Sequence, residues 1–166
     1  FTGEALGIIP NSGGLAPGLL EDREHYRPPS ARRKIAPKGY HGWSGRANLG
    51  LAALALIEEE LSGFEIRVVN PDLPVREMIG YLGATSSLDL RVDPWMPHAE
   101  ALKRRFEDRI AIGLSVTDGI STSLLESMGA GAFPIQSDMG CAQDWIENGV
   151  TGLVVSPHDT ASLAEA

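Results

Sequence analysis

The stretch SVTDGISTSLLESMGAGAFPIQSDMGCAQDWIENGVTGLVVSP, from Ser115 to Pro157, decides the fold. An apolar strand leads into a Gly/Ser/Thr turn and an apolar helix, and a second strand, a Gly-centred loop, a short helix and a third strand follow. Strands that alternate with helices predict right-handed crossovers and a parallel sheet covered by helices on both faces. We therefore expect a Rossmann-like α/β fold, which binds ligands beyond the carboxyl ends of its strands.

The alternation of strands and helices extends back to residue 33. Apolar runs predict strands at residues 34–39, 64–69, 88–92, 109–116, 132–136 and 152–155. Apolar residues at helical spacing predict helices at residues 46–61, 75–81, 98–106, 123–128 and 142–147, and from residue 160 onward. The loops expected to bind a ligand therefore follow Lys38, Val69, Val92, Val116 and Gln136.

Residues 1–32 are predicted to be a leader that crosses between domains, and residues 33–166 to be one Rossmann-like domain. Frequent Gly and Pro residues break regular structure in the leader, apart from a short predicted strand at residues 6–9. The chain begins with Phe1 and ends at Ala166 inside a predicted helix. We therefore expect it to be a piece of a longer protein.

The composition is that of a globular protein with one core, since the chain has 166 residues of which 43% are hydrophobic and 22% charged. The net charge of −8 argues against a nucleic-acid partner. Half of the 14 Lys and Arg residues lie within residues 1–46, which suits a small anionic ligand. A solvated leader would carry the same charges without binding anything.

A single cysteine, Cys141, excludes an internal disulfide framework and indicates a reducing, cytoplasmic compartment. The four histidines are scattered without metal-ligand spacing, so no metal site is expected. No apolar run approaches the ~18 residues that a membrane span needs. The sequence leaves open the oligomeric state and the membrane association of a longer parent protein.

The run Asp118-Gly-Ile-Ser-Thr-Ser-Leu-Leu-Glu126 carries the chemistry. Ser121, Thr122 and Ser123 are favourable N-cap residues before an apolar helix, whose free N–H groups and dipole attract anions. Asp118 is expected at the carboxyl end of a strand, and Glu126 in the first turn of the helix, where a carboxylate can bind vicinal hydroxyls. An alternative needs no ligand, because Ser123 and Glu126 also have the spacing of a capping box. Both interpretations stay open.

These residues resemble the carboxyl-terminal domain of the retaining GT-B glycosyltransferases of family 4. The family signature is Glu-x7-Glu, in a run such as Ser-x-x-Glu-Gly-x-x-x-x-x-Leu-Glu-Ala-Met-Ala-x-Gly-x-Pro. This chain reads SVTDG from residue 115 and LESMGAGAFP from residue 125. Gly140 and the runs NG at 148–149 and TGLV at 151–154 match the family's downstream residues, and IPN at 9–11 resembles the segment that leaves the amino-terminal domain. The resemblance implies a nucleotide-sugar donor domain whose acceptor domain precedes Phe1.

The resemblance also implies roles for the site residues. Asp118, one methylene shorter than the family's Glu, is expected to contact hydroxyls of the donor sugar, and Glu126 to contact the ribose. Lys38-Gly39 and Arg46 are the candidates for holding the diphosphate and stabilising charge on the leaving phosphate. The sugar and the diphosphate are expected to bind the backbone amides of Gly119, Ile120, Ser121, Thr122 and Ser123.

The nucleotide base is expected in the loop after the strand at 88–92, beside Asp93 and Trp95. Trp95 either stacks on the base or fills the core, and a lone Trp more often does the latter. For Trp43 and Trp145 we expect core positions as well.

The resemblance implies transfer of a hexose from a nucleoside diphosphate sugar to an acceptor, with retention at the anomeric carbon and without a metal or another cofactor. No Ser/His/Asp, Cys/His or paired-carboxylate nucleophile emerges from the sequence, which suits catalysis by positioning and leaving-group stabilisation. The isolated chain is expected to bind nucleotide sugar weakly and to transfer little or nothing. Two alternatives stay open: a GT-B-fold nucleotide-sugar epimerase, and a non-catalytic binding module in which Asp118 marks lost activity. The sequence does not fix the nucleotide, the sugar or the acceptor.

Overall fold

The computed structural model of the protein describes Leu15, Gly18 and residues 26–119 and 121–166. Its strands are β1 (Lys34–Pro37), β2 (Glu65–Val69), β3 (Asp89–Asp93), β4 (Asp108–Gly113), β5 (Phe133–Ser137) and β6 (Leu153–Val155). Its α-helices are α1 (Ala47–Leu56), α2 (Leu73–Thr85), α3 (His98–Arg105), α4 (Thr122–Gly129) and α5 (Thr160–Glu165). The six strands form one sheet in the order β3-β2-β1-β4-β5-β6, and every neighbouring pair is parallel. The predicted Rossmann-like α/β fold is confirmed.

The predicted helix at 46–61 is too long, because α1 ends at Leu56. Ile57 has left the helical conformation, with a φ of −121°. Three glutamates, at positions 58 to 60, therefore lie in the turn that follows and not at the negative end of the helix, where they would be unfavourable.

The helix predicted at 142–147 is also wrong, since only a single 3₁₀ turn, Ala142–Asp144, forms there. The predicted strand at 6–9 and the IPN run at 9–11 lie outside the described residues. The division into a leader and a domain at residue 32 stays a prediction. Near it the chain forms one 3₁₀ turn, Pro29–Ala31.

One face of the sheet is covered by α1, α2 and α5 and forms the apolar core. Strand residues such as Ile35, Ile66 and Ile112 pack there against Leu51 of α1 and Val75 of α2. All five are almost completely buried. Burial of a Val, Leu or Ile side chain contributes about 1.5–3 kcal/mol, so this face supplies most of the hydrophobic stabilisation.

The opposite face, beneath α3 and α4, is built differently. Its strand residues are small, among them Ala36, Ala111 and Gly113, and they leave a cavity of about 280 Å³. Charged and polar side chains also line this cavity, including Arg67, Arg105, Asp108 and Gln136. We call it the polar cavity.

The direction of strand addition reverses between β1 and β4, which are neighbours in the sheet. Right-handed crossovers that run in opposite directions place α1 and α4 on opposite faces, and a crevice opens at the carboxyl ends of β1 and β4. We call the loops beyond the carboxyl ends of the strands the carboxyl edge. The predicted site residues follow these two strands.

Candidate functional site

A lysine and an aspartate meet at the point of reversal. Lys38 follows β1 and Asp118 lies in the loop after β4, and their Nζ and Oδ2 atoms are 3.8 Å apart. The side chain of Lys38 is only 9% exposed, and its Nζ donates to Ser115 Oγ over 3.1 Å. An ammonium group has three N–H donors, so Lys38 can still donate to an anion that enters the crevice.

The segment that carries Asp118 is held on both sides. The Ser115 hydroxyl donates to the carbonyl of Ser44, and the amide of Val116 donates to the carbonyl of Trp43 over 2.9 Å. The Ser137 hydroxyl of β5 donates to the carbonyl of Ser115. These bonds join the strand end to the loop after β1 and to the last residue of β5, so they fix the direction in which the chain leaves β4.

Gly140 lies directly against the loop of Asp118. A Cβ atom at this position would collide with the Asp118 carbonyl oxygen, and the φ of +78° also favours glycine. The amide of Cys141 donates to the carbonyl of Gly119 over 3.4 Å. At Gly119 itself the space is open, since a Cβ there would meet no atom within 4 Å. The β5 loop thus supports the backbone on one side and leaves Gly119 accessible.

The start of α4 differs from the capping box considered above. Its N-cap residue is Ser121, which makes no side-chain cap bond, and its hydroxyl lies 3.0 Å from that of Ser123. Ser123 is therefore the second residue of a helix that begins at Thr122, and Glu126 lies in its second turn. The interpretation of Ser123 and Glu126 as a capping box is therefore wrong, and so is the expected position of Glu126 in the first turn. Ile120 lies outside the described residues.

The carboxylate of Glu126 is buried between α3 and α4. One oxygen lies 2.7 Å from His98 Nε2, and the other accepts from Arg105 Nε over 3.2 Å. Arg105 also donates to Ser127 Oγ over 3.1 Å. The carboxylate, whose side chain is 6% exposed, is thus held by the helix that faces it.

The remaining predicted site residues do not join the pair of Lys38 and Asp118. Arg46 precedes α1 in a left-handed conformation, and its Nη1 lies 3.2 Å from Nδ1 of His158, which precedes α5. The carboxylate of Asp93, at the end of β3, lies 3.8 Å from Arg67 Nη1. Both residues are at the carboxyl edge, but each has a protein partner of its own.

A network of charges begins at Arg67, which lines the polar cavity, and continues to side chains outside it. Arg67, which is buried, donates to Glu107 over 2.8 Å and to Glu65 over 3.2 Å, and Lys34 also bonds to Glu107. Burial alone would raise the pKa of Glu107, but the hydrogen bonds from Lys34 and Arg67 lower it to about 2. This carboxylate therefore stays charged in the folded protein at any ordinary pH.

Asp108 at the start of β4 behaves in the opposite way. Its burial raises the pKa to about 7, against the nearby charges of Arg67 and Arg105, which lower it. A carboxyl group with such a pKa can donate or accept a hydrogen bond near neutral pH. The polar cavity thus contains a group whose charge changes close to physiological pH.

The three tryptophans are exposed, and the expectation that they fill the core is wrong. Trp43 is 72% exposed, Trp95 71% and Trp145 44%. All three lie in loops of the carboxyl edge, after β1, β3 and β5 respectively. The interpretation of Trp95 as a group that could stack on a base is therefore compatible with its position, and stays a prediction.

Sequence reasoning missed His98, Arg105 and Ser115. The sequence contains a weak signal for Ser115, because this residue follows an apolar strand whose carboxyl end borders the crevice. His98 and Arg105 lie 28 and 21 residues from Glu126, and only the packing of α3 on α4 brings them together. No spacing within a single sequence indicates that contact.

Within residues 26–119 and 121–166, no group of three or more His, Cys, Asp or Glu side chains is arranged to hold a metal ion. None of the helices in the described part of the chain has the length and apolar character that crossing a membrane requires.

Comparisons with known proteins point to glycosyltransferases. Residues 104–166 match the family described as "Glycosyl transferases group 1". No curated protein matches the chain. The matched segment contains α4, Asp118 and Glu126, whereas Lys38 and Arg46 lie outside it.

Solved structures share the fold across most of the chain. A glycosyltransferase from Rickettsia africae superposes with a TM-score of 0.64 and 22% identity, over 93% of this chain and 42% of that protein. HepE from Anabaena, solved with UDP and glucose, has a TM-score of 0.65 and 17% identity, over 90% of this chain and 41% of that protein. A UDP-forming trehalose-phosphate synthase from Burkholderia xenovorans, solved with glucose-6-phosphate, has a TM-score of 0.70 and 14% identity, over 89% of this chain and 39% of that protein.

The chain is thus similar in fold to the carboxyl-terminal half of GT-B glycosyltransferases. It spans about two fifths of the length of the three proteins just named.

Proposed function

We propose that this chain is the donor-binding domain of a retaining glycosyltransferase. It binds a nucleoside diphosphate sugar and takes part in transferring the hexose to an acceptor, without a bound metal or another cofactor. An amino-terminal domain, absent from the chain, binds the acceptor. The parent protein acts in the cytoplasm. The match of residues 104–166 to group 1 glycosyl transferases and the shared fold support this proposal.

The observation that carries the proposal is the juxtaposition of Lys38 and Asp118 in the crevice beside the start of α4. A cation next to the unpaired amides of a helix N-terminus attracts a diphosphate. A carboxylate within 4 Å of that cation accepts hydrogen bonds from the hydroxyls of a sugar attached to it. The diphosphate can therefore bind Lys38 while the attached sugar binds Asp118.

Each residue then has a distinct task. Lys38 stabilises the negative charge that develops on the leaving phosphate, and Asp118 positions the sugar. Arg46 attracts the diphosphate from the mouth of the crevice. The amides from Gly119 to Ser123, including that of Ile120, bind phosphate and sugar oxygens. Asp93 and Trp95 border the base, and Glu126 contacts the ribose.

Nucleotide binding by the isolated chain tests the proposal. Thermal unfolding is measured with UDP, GDP and ADP, because a ligand at 100 times its Kd stabilises a protein by ~2.7 kcal/mol. We expect one of the three to raise the melting temperature and Lys38→Met to lower its affinity about 10- to 100-fold, as expected for a lost charged hydrogen bond. Lys103→Met, at an exposed site on α3, is the control and should bind normally. No stabilisation of the wild-type chain by any of the three would overturn the proposal.

Transfer itself needs the parent protein that contains the acceptor domain. There Asp118→Ala should lower kcat strongly, and Asp118→Glu should retain activity because the carboxylate is kept. The isolated chain should bind the nucleotide but transfer little or no sugar. Robust transfer by the isolated chain would contradict the assignment of the acceptor site to another domain.

A non-catalytic nucleotide-sugar binding module is the second candidate. It is favoured by one observation, that Asp118 stands where the family signature has a Glu, one methylene longer. Such a module catalyses no transfer. Asp118→Ala in the parent protein would therefore change only the affinity for nucleotide sugar.

A further inference from the structure

Gln136 is a buried polar residue in β5, close to the candidate site. It is the fourth residue of the strand, and it is only 5% exposed. Ile135, which precedes it, belongs to the apolar core, so Gln136 lies on the opposite face, on the side of α4. In the described part of the chain, no hydrogen bond involves its side chain. Most buried amides are hydrogen-bonded, so an exception of this kind indicates a partner outside the protein.

The neighbouring strand leaves room for this amide. Gly113 of β4 pairs with Gln136 across the sheet. A Cβ atom at position 113 would collide with Oε1 of Gln136. A glycine within a strand often marks the place where another group approaches the backbone closely, and here that group is the amide. Any side chain at position 113 would therefore displace it.

The amide lies between two spaces. One is the polar cavity, and the other is a small space of about 10 Å³ beside Asp118, Gly119 and Ser121. Gln136 lines both of them, together with Leu124. A volume of this size holds about one water molecule, and therefore also one hydroxyl group.

The groups around the small space suit a hydroxyl in particular. The carboxylate of Asp118 only accepts hydrogen bonds, whereas the amide of Gln136 both donates and accepts. A hydroxyl group also does both, so it can donate to the carboxylate and accept from the amide at the same time. A phosphate oxygen carries negative charge, and Asp118 would repel it.

We propose that the small space binds one hydroxyl group of the donor hexose, and that Gln136 is the residue of this chain that selects for it. Asp118 accepts the hydrogen of that hydroxyl, and the amide of Gln136 donates to its oxygen. A sugar that lacks the hydroxyl leaves the buried amide without a partner and is therefore rejected. This inference rests on the proposed function, because it concerns the sugar attached to the nucleotide of the same site.

The test removes the hydroxyls of the ligand one at a time. Dissociation constants are measured by calorimetry on the chain for UDP, GDP and ADP and for their glucose, galactose and mannose conjugates. The 2-, 3-, 4- and 6-deoxy forms of the tightest conjugate follow. One deoxy form should bind the wild-type chain about 10- to 100-fold more weakly than the full conjugate, because the hydroxyl has two partners.

Gln136→Met retains the length of the side chain and removes the amide. It should bind the full conjugate about tenfold more weakly than the wild type, and the nucleoside diphosphate alone equally well. The loss caused by that one deoxy form should be about tenfold smaller in the variant, while the other three deoxy forms should cause the same loss in both proteins. Gly113→Ala should also weaken the conjugate, because its Cβ displaces the amide.

The matched control is Gln143→Met, which changes an exposed glutamine after β5 and should leave every ratio unchanged. The melting temperature of each variant reports folding separately, and that of Gln136→Met should not fall, since no described protein group loses a hydrogen bond. If the chain binds a nucleoside diphosphate but all four deoxy forms cause the same losses in the wild type and in Gln136→Met, the inference fails and the proposed function stands. If the chain binds neither the nucleotides nor their conjugates, both fail.

Discussion

The two faces of the sheet use the same strands for different purposes. On the face of α1, α2 and α5, large aliphatic side chains such as Ile35 and Ile66 pack into a core. On the face of α3 and α4, alternate residues of the same strands are Ala36 and Arg67, and a cavity of about 280 Å³ remains. A cavity of about 190 Å³ exists on the first face as well, between α1, α5 and the sheet, but all of the residues that line it have apolar side chains or none.

The two faces of the sheet therefore have different roles, because one stabilises the fold and the other is able to bind a ligand. An apolar cavity excludes polar ligands and only weakens packing, whereas a cavity lined by charged side chains can contain water or a polar ligand. The polar cavity extends to Lys38 and to the helix that carries Glu126. We infer that the aliphatic face supplies the stability that lets the other face remain loosely packed and charged.

The largest expected effect is on the aliphatic face. Leu51→Ala removes a fully buried side chain from the centre of the core and should lower the free energy of unfolding by about 2–5 kcal/mol. Urea unfolding of the chain measures this change. A loss below about 1 kcal/mol would contradict the assignment of the stabilising core to this face.

The next effect depends on pH and concerns the polar cavity. In the folded protein the pKa of Asp108 is raised from 3.8 to about 7, so the folded state binds this proton more tightly than the unfolded state does. The stability due to this proton is fully present below pH 3.8, falls as the pH rises, and is lost above about 7.

Asp108→Asn removes this dependence, because the amide is neutral at every pH. The variant should match the wild type at pH 4 and exceed it at pH 8 by up to about 4 kcal/mol, at 1.36 kcal/mol per pKa unit. Urea unfolding at both pH values tests this. If the variant and the wild type differ in free energy of unfolding by the same amount at both pH values, Arg67 and Arg105 fully compensate the buried charge of Asp108.

The smallest effect is expected from filling the polar cavity. Ala111→Leu places three carbon atoms in a space that is not closely packed, so the free energy of unfolding should change by less than about 1 kcal/mol. In a tightly packed interior, an enlargement of this kind costs about 1–3 kcal/mol. A loss of that size would mean that the small strand residues are close-packed against α3 and α4.

The order of strands and helices was predictable from the sequence because it depends on local patterns. The apolar runs that end at Val69 and Gln136 are long enough to specify buried strands, and both form. The end of α1 was not predictable, since Ile57 and Leu61 continue the apolar spacing after the backbone has left the helix. In that turn they still pack near the core, so the pattern reflects burial more than helical conformation.

The candidate site was predictable only in part. Asp118 and Lys38 follow adjacent strands, and the general rule for parallel sheets places them together. The partners of Glu126 come from α3, and their contact depends on how two helices pack, which a local pattern does not contain. The tryptophans were misjudged because their size favours burial on average, whereas here each occupies a loop at the ligand side of the sheet.

The position of these tryptophans has a practical consequence. All three indole rings of the chain lie in the loops after β1, β3 and β5, and Trp145 borders the small space beside Asp118 and Gly119. The intrinsic fluorescence of the protein therefore originates at the carboxyl edge and not in the core. Its emission should respond to quenchers and to occupants of the crevice, while global denaturation should shift its wavelength only slightly.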